Sequence, residues 1–221
     1  MPFWSTLTNE IQALREGLED DEDEEHQSFE SGPSTAAATD AVTHADLLIV
    51  PPASIYVMPE ALLEPVGEME STLYQIYFAD IDAVFKVLHK PSIQPLLEFG
   101  DTYLDQTADS PSNTALRAAM WFSSVTSLSE SDRRSDKPRS ELLRLSRRHC
   151  DFALSKADLI NTTDLATLQA AVIYIAASRL TDPSRRPWTS TALVARIAQG
   201  VGLQHEQPNH TPFEKELRRR L

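Results

Sequence analysis

Between Thr162 and Gln204 the chain reads TTDLATLQAAVIYIAASRLTDPSRRPWTSTALVARIAQGVGLQ, and no other stretch constrains the fold as much. In its first half Leu165, Leu168, Val172 and Ile175 fall at helical spacing, while Ala170, Ala171, Ile173, Ala176 and Ala177 fill the other faces. A helix with no polar face to offer to water is buried nearly all round. Thr162, Thr163 and Asp164 provide cap oxygens and a favourable charge at its start. After a polar link punctuated by proline, a second helix is expected from about Pro187 to Gly200. There Leu193, Ile197 and Val201 stand four apart, and Ala192, Ala195 and Ala198 line the adjacent face, where small side chains permit close helix approach. Gly200 and Gly202 supply the left-handed stop. The expectation is a tightly packed helical hairpin in the interior of an all-α, multi-helix domain.

The flanking segments carry the same period. Leu73, Tyr77, Ile81, Val84 and Leu88 predict a helix over 71–88 that ends at His89-Lys90-Pro91, because a residue preceding proline is pushed out of the helical region. His89 then falls in the last turn, where it would satisfy the final carbonyls and the helix dipole. Further helices are predicted over 113–128 through Leu116, Met120, Val125 and Leu128, and over 140–157 through Leu142, Leu145, Phe152 and Lys156, with an exposed polar loop, 129–139, between them. Thr211-Pro212-Phe213-Glu214 reads as a capping box opening a helix with Phe213, Leu217 and Leu221 on one face. No partner for that stripe follows in the sequence, so self-association through it is expected.

The N-terminal third differs. Residues 1–70 hold 16 Asp and Glu against the single Arg15, whereas the remainder is near neutral, with 17 acidic and 19 basic residues. Residues 1–18 carry Leu7, Ile11, Leu14 and Leu18 at heptad spacing, a short amphipathic or coiled-coil-like helix that is marginal on its own. Residues 19–57 are acidic, then rich in Ser, Ala and Pro, which predicts a disordered linker. Trp4, Leu14, Leu18 and Phe29 around the acidic run also fit an activation segment. Pro51-Pro52 excludes a central strand from 45–57 and suggests an extended segment lying on a domain that occupies 58–221.

An acidic chain repels phosphate backbones, and its basic pairs Arg133-Arg134, Arg147-Arg148 and Arg185-Arg186 are scattered, so DNA binding by this chain unaided is not expected. Cys150 is the single cysteine, which excludes an intrachain disulfide and a cysteine-based zinc cluster. No run approaches the roughly 18 apolar residues of a membrane span. There is no glycine-rich phosphate loop, no G-x-S-x-G and no H-E-x-x-H, since His205-Glu206 reaches His210 only across Pro208. Carboxylates crowd only in the acidic run, where nothing fixes a pair for acid–base work, so no enzyme is expected. Arg196 reads as a solvent-facing arginine or as half of a buried pair, and Trp188 as a packing residue at a helix start before it reads as part of an effector pocket.

Three sets of residues together resemble a family. The first is Asn161-Thr162-Thr163-Asp164-Leu165 with Leu168-Gln169-Ala170, then Trp188, Ala192 or Ala195, Arg196, Ala198 and Gly202-Leu203. The second is Tyr77-Phe78, Phe85 and Leu88-His89-Lys90-Pro91-Ser92, with Ile93 where the family has Phe. The third is Ser127-Leu128-Ser129 followed by Ser140-Glu141-Leu142-Leu143. In this order they resemble the middle homology, or regulatory, domain of fungal-specific transcription factors of the zinc-cluster type. The resemblance implies a nuclear regulator of transcription, acting on nutrient-use or secondary-metabolite genes, whose zinc belongs to a cysteine cluster absent here, leaving this chain without a cofactor. It implies homo- or heterodimers with related regulators, DNA contact only through a missing or partner module, and an unidentified small-molecule effector. Residues 1–18 would be a stub of the family's coiled-coil segment, and the chain would be truncated at both ends. An α-helical small-molecule-binding protein and a non-functional truncated gene product are the alternatives.

Overall fold

The computed structural model describes residues 69–129, 137–205 and 210–221, and the expectations for 1–18, for 19–57 and for most of the 129–139 loop lie outside them. The described residues form seven α-helices: α1 Glu70–Ile76, α2 Lys90–Phe99, α3 Pro111–Ser127, α4 Arg139–Lys156, α5 Leu165–Thr181, α6 Arg186–Gly200 and α7 Pro212–Arg220. Among them the only β-type pairing is an isolated bridge between Tyr103 and Gln106.

Helix α3 is the centre. Ser110 caps it by accepting from the Asn113 amide at 3.2 Å, and Pro111 occupies its first turn, where a missing amide costs nothing. Its stripe Leu116, Met120, Val125 and Leu128 is buried as the spacing predicts, and Ala115, Ala118 and Ala119 bring neighbouring helices close. It packs most extensively against α5 and α4, and also against α1. Helix α5 is buried on almost every side, from Ala166 to Ser178, as its composition requires.

Several expectations are corrected. The helix expected over 71–88 runs as α1 only to Ile76, continues as a π-helical turn over Tyr77–Ile81, and stops. Val84, placed on the buried stripe, is 88 % exposed, while Val87 and Leu88 are buried outside any helix. Beyond the turn, the Val87 carbonyl accepts from Gln169 Nε2 at 3.3 Å and the Leu88 carbonyl from Arg220 Nη1 at 3.0 Å.

His89 accordingly ends no helix. It is the N-terminal cap residue of α2, a helix built over Pro91 and Pro95 that burial of Ile93 and Leu96 sustains and Gly100, at φ +69°, closes. In α4, Leu142 and Leu145 are buried, but the stripe continues through Ser146, His149, Cys150, Ala153 and Leu154. Phe152 is half-buried, with the Lys156 ammonium 5.4 Å over its ring.

The hairpin expectation holds for α5 and fails for α6. Only Pro187 and Val194 of α6 are buried, and Ala192 and Ala195 are exposed, because the helix packs on one side only, against α5. Its stop belongs to Gly202 alone, at φ +72°, with Leu203 N–H donating to the Ala198 carbonyl and Gly202 N–H to the Gln199 carbonyl, both at 3.0 Å. Gly200 is the last helical residue. The capping box of α7 forms as read. Its stripe is partly covered within the chain: Leu217 is buried and Leu221 packs on the core, while Phe213, 38 % exposed, meets the His89 ring edge-on at 5.2 Å.

Candidate functional site

The link between α5 and α6 is held by charge. Asp182 Oδ2 accepts from Arg147 Nη2 at 2.7 Å, and Asp182 Oδ1 from the Ser184 amide at 2.9 Å. Burial pushes the Asp182 carboxyl up, but the bonds from Ser184 and Arg147 outweigh it and hold the group down at about 2. One layer deeper, fully buried Asp151 accepts from the Tyr174 hydroxyl; burial first, and then the Asp151 charge, push that hydroxyl far above its ordinary range. These contacts fix how α6 leaves α5.

The two helices line a cleft of about 450 Å³. Leu168, Val172, Ile175 and Ala176 of α5 form one wall, and Thr191, Val194, Ala195 and Ala198 of α6 face them. Phe85, Leu203 and Leu221 add hydrocarbon from other segments, and Arg179 and Leu180 lie at the C-terminal end of α5. The position of Phe85 depends on the core: Gln169, fully buried, ties α5 both to Val87 and, through the Tyr103 hydroxyl at 3.0 Å, to the 101–110 loop. Asn113 Nδ2 in turn donates to the Gln106 and Thr107 carbonyls at 3.1 and 2.9 Å and sets that loop.

The residues singled out by motif fall in different places. Leu168, Ala198 and Leu203 are brought together in the cleft wall. Gln169 lies directly behind that wall, and Gly202 makes the turn that delivers Leu203. Asp164 is the N-terminal cap residue of α5 but makes no side-chain bond to its own helix; its carboxylate accepts from Ser112 Oγ at 2.7 Å and pins α5 to α3. His89 Nδ1 is 2.7 Å from Ser92 Oγ, and Pro91 lies exposed in the first turn of α2. Arg196 is solvent-facing and donates to Gln199 Oε1 at 3.0 Å. Trp188 is 64 % exposed, so it is no packing residue, and Arg179 lies 4.3 Å over its ring.

Sequence reasoning missed Arg179, Phe85 and the Asp182–Arg147 pair as parts of one site. Their juxtaposition comes from chain segments far apart, and the sole local signal was a charged residue beside the exposed Leu180 at the end of an apolar helix. Among the described residues no group of three His, Cys, Asp or Glu side chains is placed to hold a metal, and no helix is long and apolar enough to cross a membrane.

Fold and site thus define an α-helical domain with an apolar cleft edged by one cation. Residues 74–221 match the fungal specific transcription factor domain, and the chain belongs to that family. It is similar to the C6 finger domain transcription factor adaR of Aspergillus niger, with 30 % identity over 225 residues, covering 99 % of this chain and 29 % of the relative. It is also similar to the C6 finger domain transcription factors nscR of Arthroderma gypseum, 36 % identical over 67 % of this chain and 21 % of the relative, and nscR of Aspergillus fumigatus, 32 % identical over 70 % and 20 %. The chain therefore spans less than a third of the length of these relatives. No solved structure matches it.

Proposed function

We propose that this chain acts in transcription regulation, as the regulatory and not the DNA-reading part of a regulator. The observation that carries this reading is the alignment of nearly the whole chain with part of a C6 finger domain transcription factor. Chemistry supports the separation from DNA contact. A net charge of −13 opposes phosphate binding, and the single cysteine, buried Cys150, cannot build a six-cysteine cluster. DNA is reached through a zinc module outside this sequence or on a related regulator paired with it, and the site of action is the nucleus.

The test fuses the full chain to an unrelated DNA-binding domain over a reporter gene in a fungal host. Reporter transcription is expected to change several-fold against the DNA-binding domain alone, and Leu168→Asp, which disrupts the core, should return it to baseline. A nuclear, folded fusion that leaves transcription unchanged refutes the reading. So does sequence-selective DNA binding by the unfused chain in a gel-shift assay.

A further inference from the structure

We propose that the α5–α6 cleft binds a small, largely apolar molecule bearing one anionic group, such as an aromatic carboxylate, with Arg179 as the partner of the anion. The volume, about 450 Å³, lies within the range of small-molecule sites. Thirteen residues line it, fewer than the roughly 20–30 a side that a stable protein interface engages.

The lining fixes the chemistry of the occupant. Only Arg179 and Thr191 carry polar side chains there, and the Thr191 hydroxyl already donates to the Pro187 carbonyl at 2.8 Å. Arg179 is different. It is exposed, among the described residues no carboxylate pairs with it, and its guanidinium carbon lies 4.3 Å from the centroid of the Trp188 ring. A cation–π contact of that kind spends none of the N–H donors, which stay available to an acceptor. A cation with unspent donors at the border of a hydrocarbon cleft is the complement of an amphiphilic anion. Ala176, Ala195 and Ala198 leave the space such a body would fill, against the buried Leu168 and Val194.

As an effector site the cleft rests on the regulatory reading above; as a binding site it is tested with no transcriptional readout, so each can fail alone. The purified full chain is titrated with anthracene-2-carboxylate and, separately, with uncharged anthracene-2-methanol, followed by fluorescence anisotropy. Saturable binding of one carboxylate per chain is expected, about 10-fold or more tighter than the alcohol. Arg179→Gln should erase that preference. Ala195→Trp, at an exposed helical position facing the cleft, should abolish both while thermal melting is retained; Thr191→Phe repeats the blockade from a second exposed position. Absence of saturable binding, equal affinity for acid and alcohol, or full binding by both blocking variants overturns the proposal. A wild-type dimer in sedimentation that Ala195→Trp dissociates also overturns it, because the cleft would then be an interface between copies.

Discussion

Gln169→Leu tests the polar tie behind the cleft. Gln169 is fully buried; its Oε1 accepts from the Tyr103 hydroxyl at 3.0 Å and its Nε2 donates to the Val87 carbonyl at 3.3 Å. Leucine matches the side chain closely in volume but has neither group. Tyr103 and Val87 are each 1 % exposed, so neither orphaned partner regains water. A buried donor or acceptor left unmade costs about 1–3 kcal/mol, which gives about 2–6 kcal/mol for two. Easier desolvation of leucine, and the greater length of the Val87 bond, place the expected loss in the lower half of that range. Against a total stability of about 5–15 kcal/mol this is a large effect. Urea denaturation followed by circular dichroism should show a lower midpoint at unchanged slope. Adding Tyr103→Phe removes the hydroxyl that Gln169→Leu stranded, so the double variant should be about 1–2 kcal/mol more stable than the sum of the single losses allows. A Gln169→Leu protein within 0.5 kcal/mol of wild type, or strict additivity in the cycle, would refute the tie; that threshold is about the noise of such cycles.

Two further perturbations separate the buried from the apparent core. His149 is stacked on Trp121 at 5.4 Å, and burial, then the charge of Arg117, lower its pKa from 6.5 to about 4. The unfolded chain therefore takes up this proton first, so stability is full above pH 6.5 and falls by about 1.4 kcal/mol per pH unit toward pH 4; His149→Phe should flatten that slope in denaturant titrations, and an unchanged slope would locate the pH dependence elsewhere. Leu168→Asp places an unpaired carboxylate at 1 % exposure and should unfold the domain, whereas Ile197→Asp, half-buried on the one-sided α6, should cost about 1–2 kcal/mol. Equal melting temperatures for the two variants would mean that α6 is as deeply packed as α5.

Local chemistry was legible where it decides the outcome. The capping box at Thr211, the glycine turn at Gly202, the stripe of α3 and the all-round burial of α5 follow from residue types at short spacing, and the structure has them. What the spacing of apolar residues cannot register is a carbonyl claimed from a distance. Leu73 to Leu88 keeps a helical period, yet the chain leaves the helix after Ile81, and the carbonyls of Val87 and Leu88 bond to Gln169 and Arg220, 82 and 132 residues away in sequence. The stripe of α4 was misread for a related reason. Its buried face includes Ser146 and His149, polar residues that a search for hydrocarbon passes over, and their burial depends on Trp121 and on the turn of α4 itself.

The α5–α6 hairpin shows where this limit bears on function. A row of alanines on a helix is compatible with two opposite geometries: backbones drawn together, or a gap that short side chains fail to fill. Ala192, Ala195 and Ala198 predict the first, and Ala115, Ala118 and Ala119 of α3 do realise it, buried among α4 and α5. On α6 the second holds, because Arg147 and Asp182 set the exit of the chain from α5 while Phe85, Leu203 and Leu221 meet the hairpin around its open side. The difference lies in partners from other parts of the chain and not in the alanines. A substitution scan of the two rows therefore discriminates between them: enlarging Ala119 to Leu should overpack the core and cost about 1–3 kcal/mol, while Ala195→Leu should leave stability near wild type and consume the volume of the cleft.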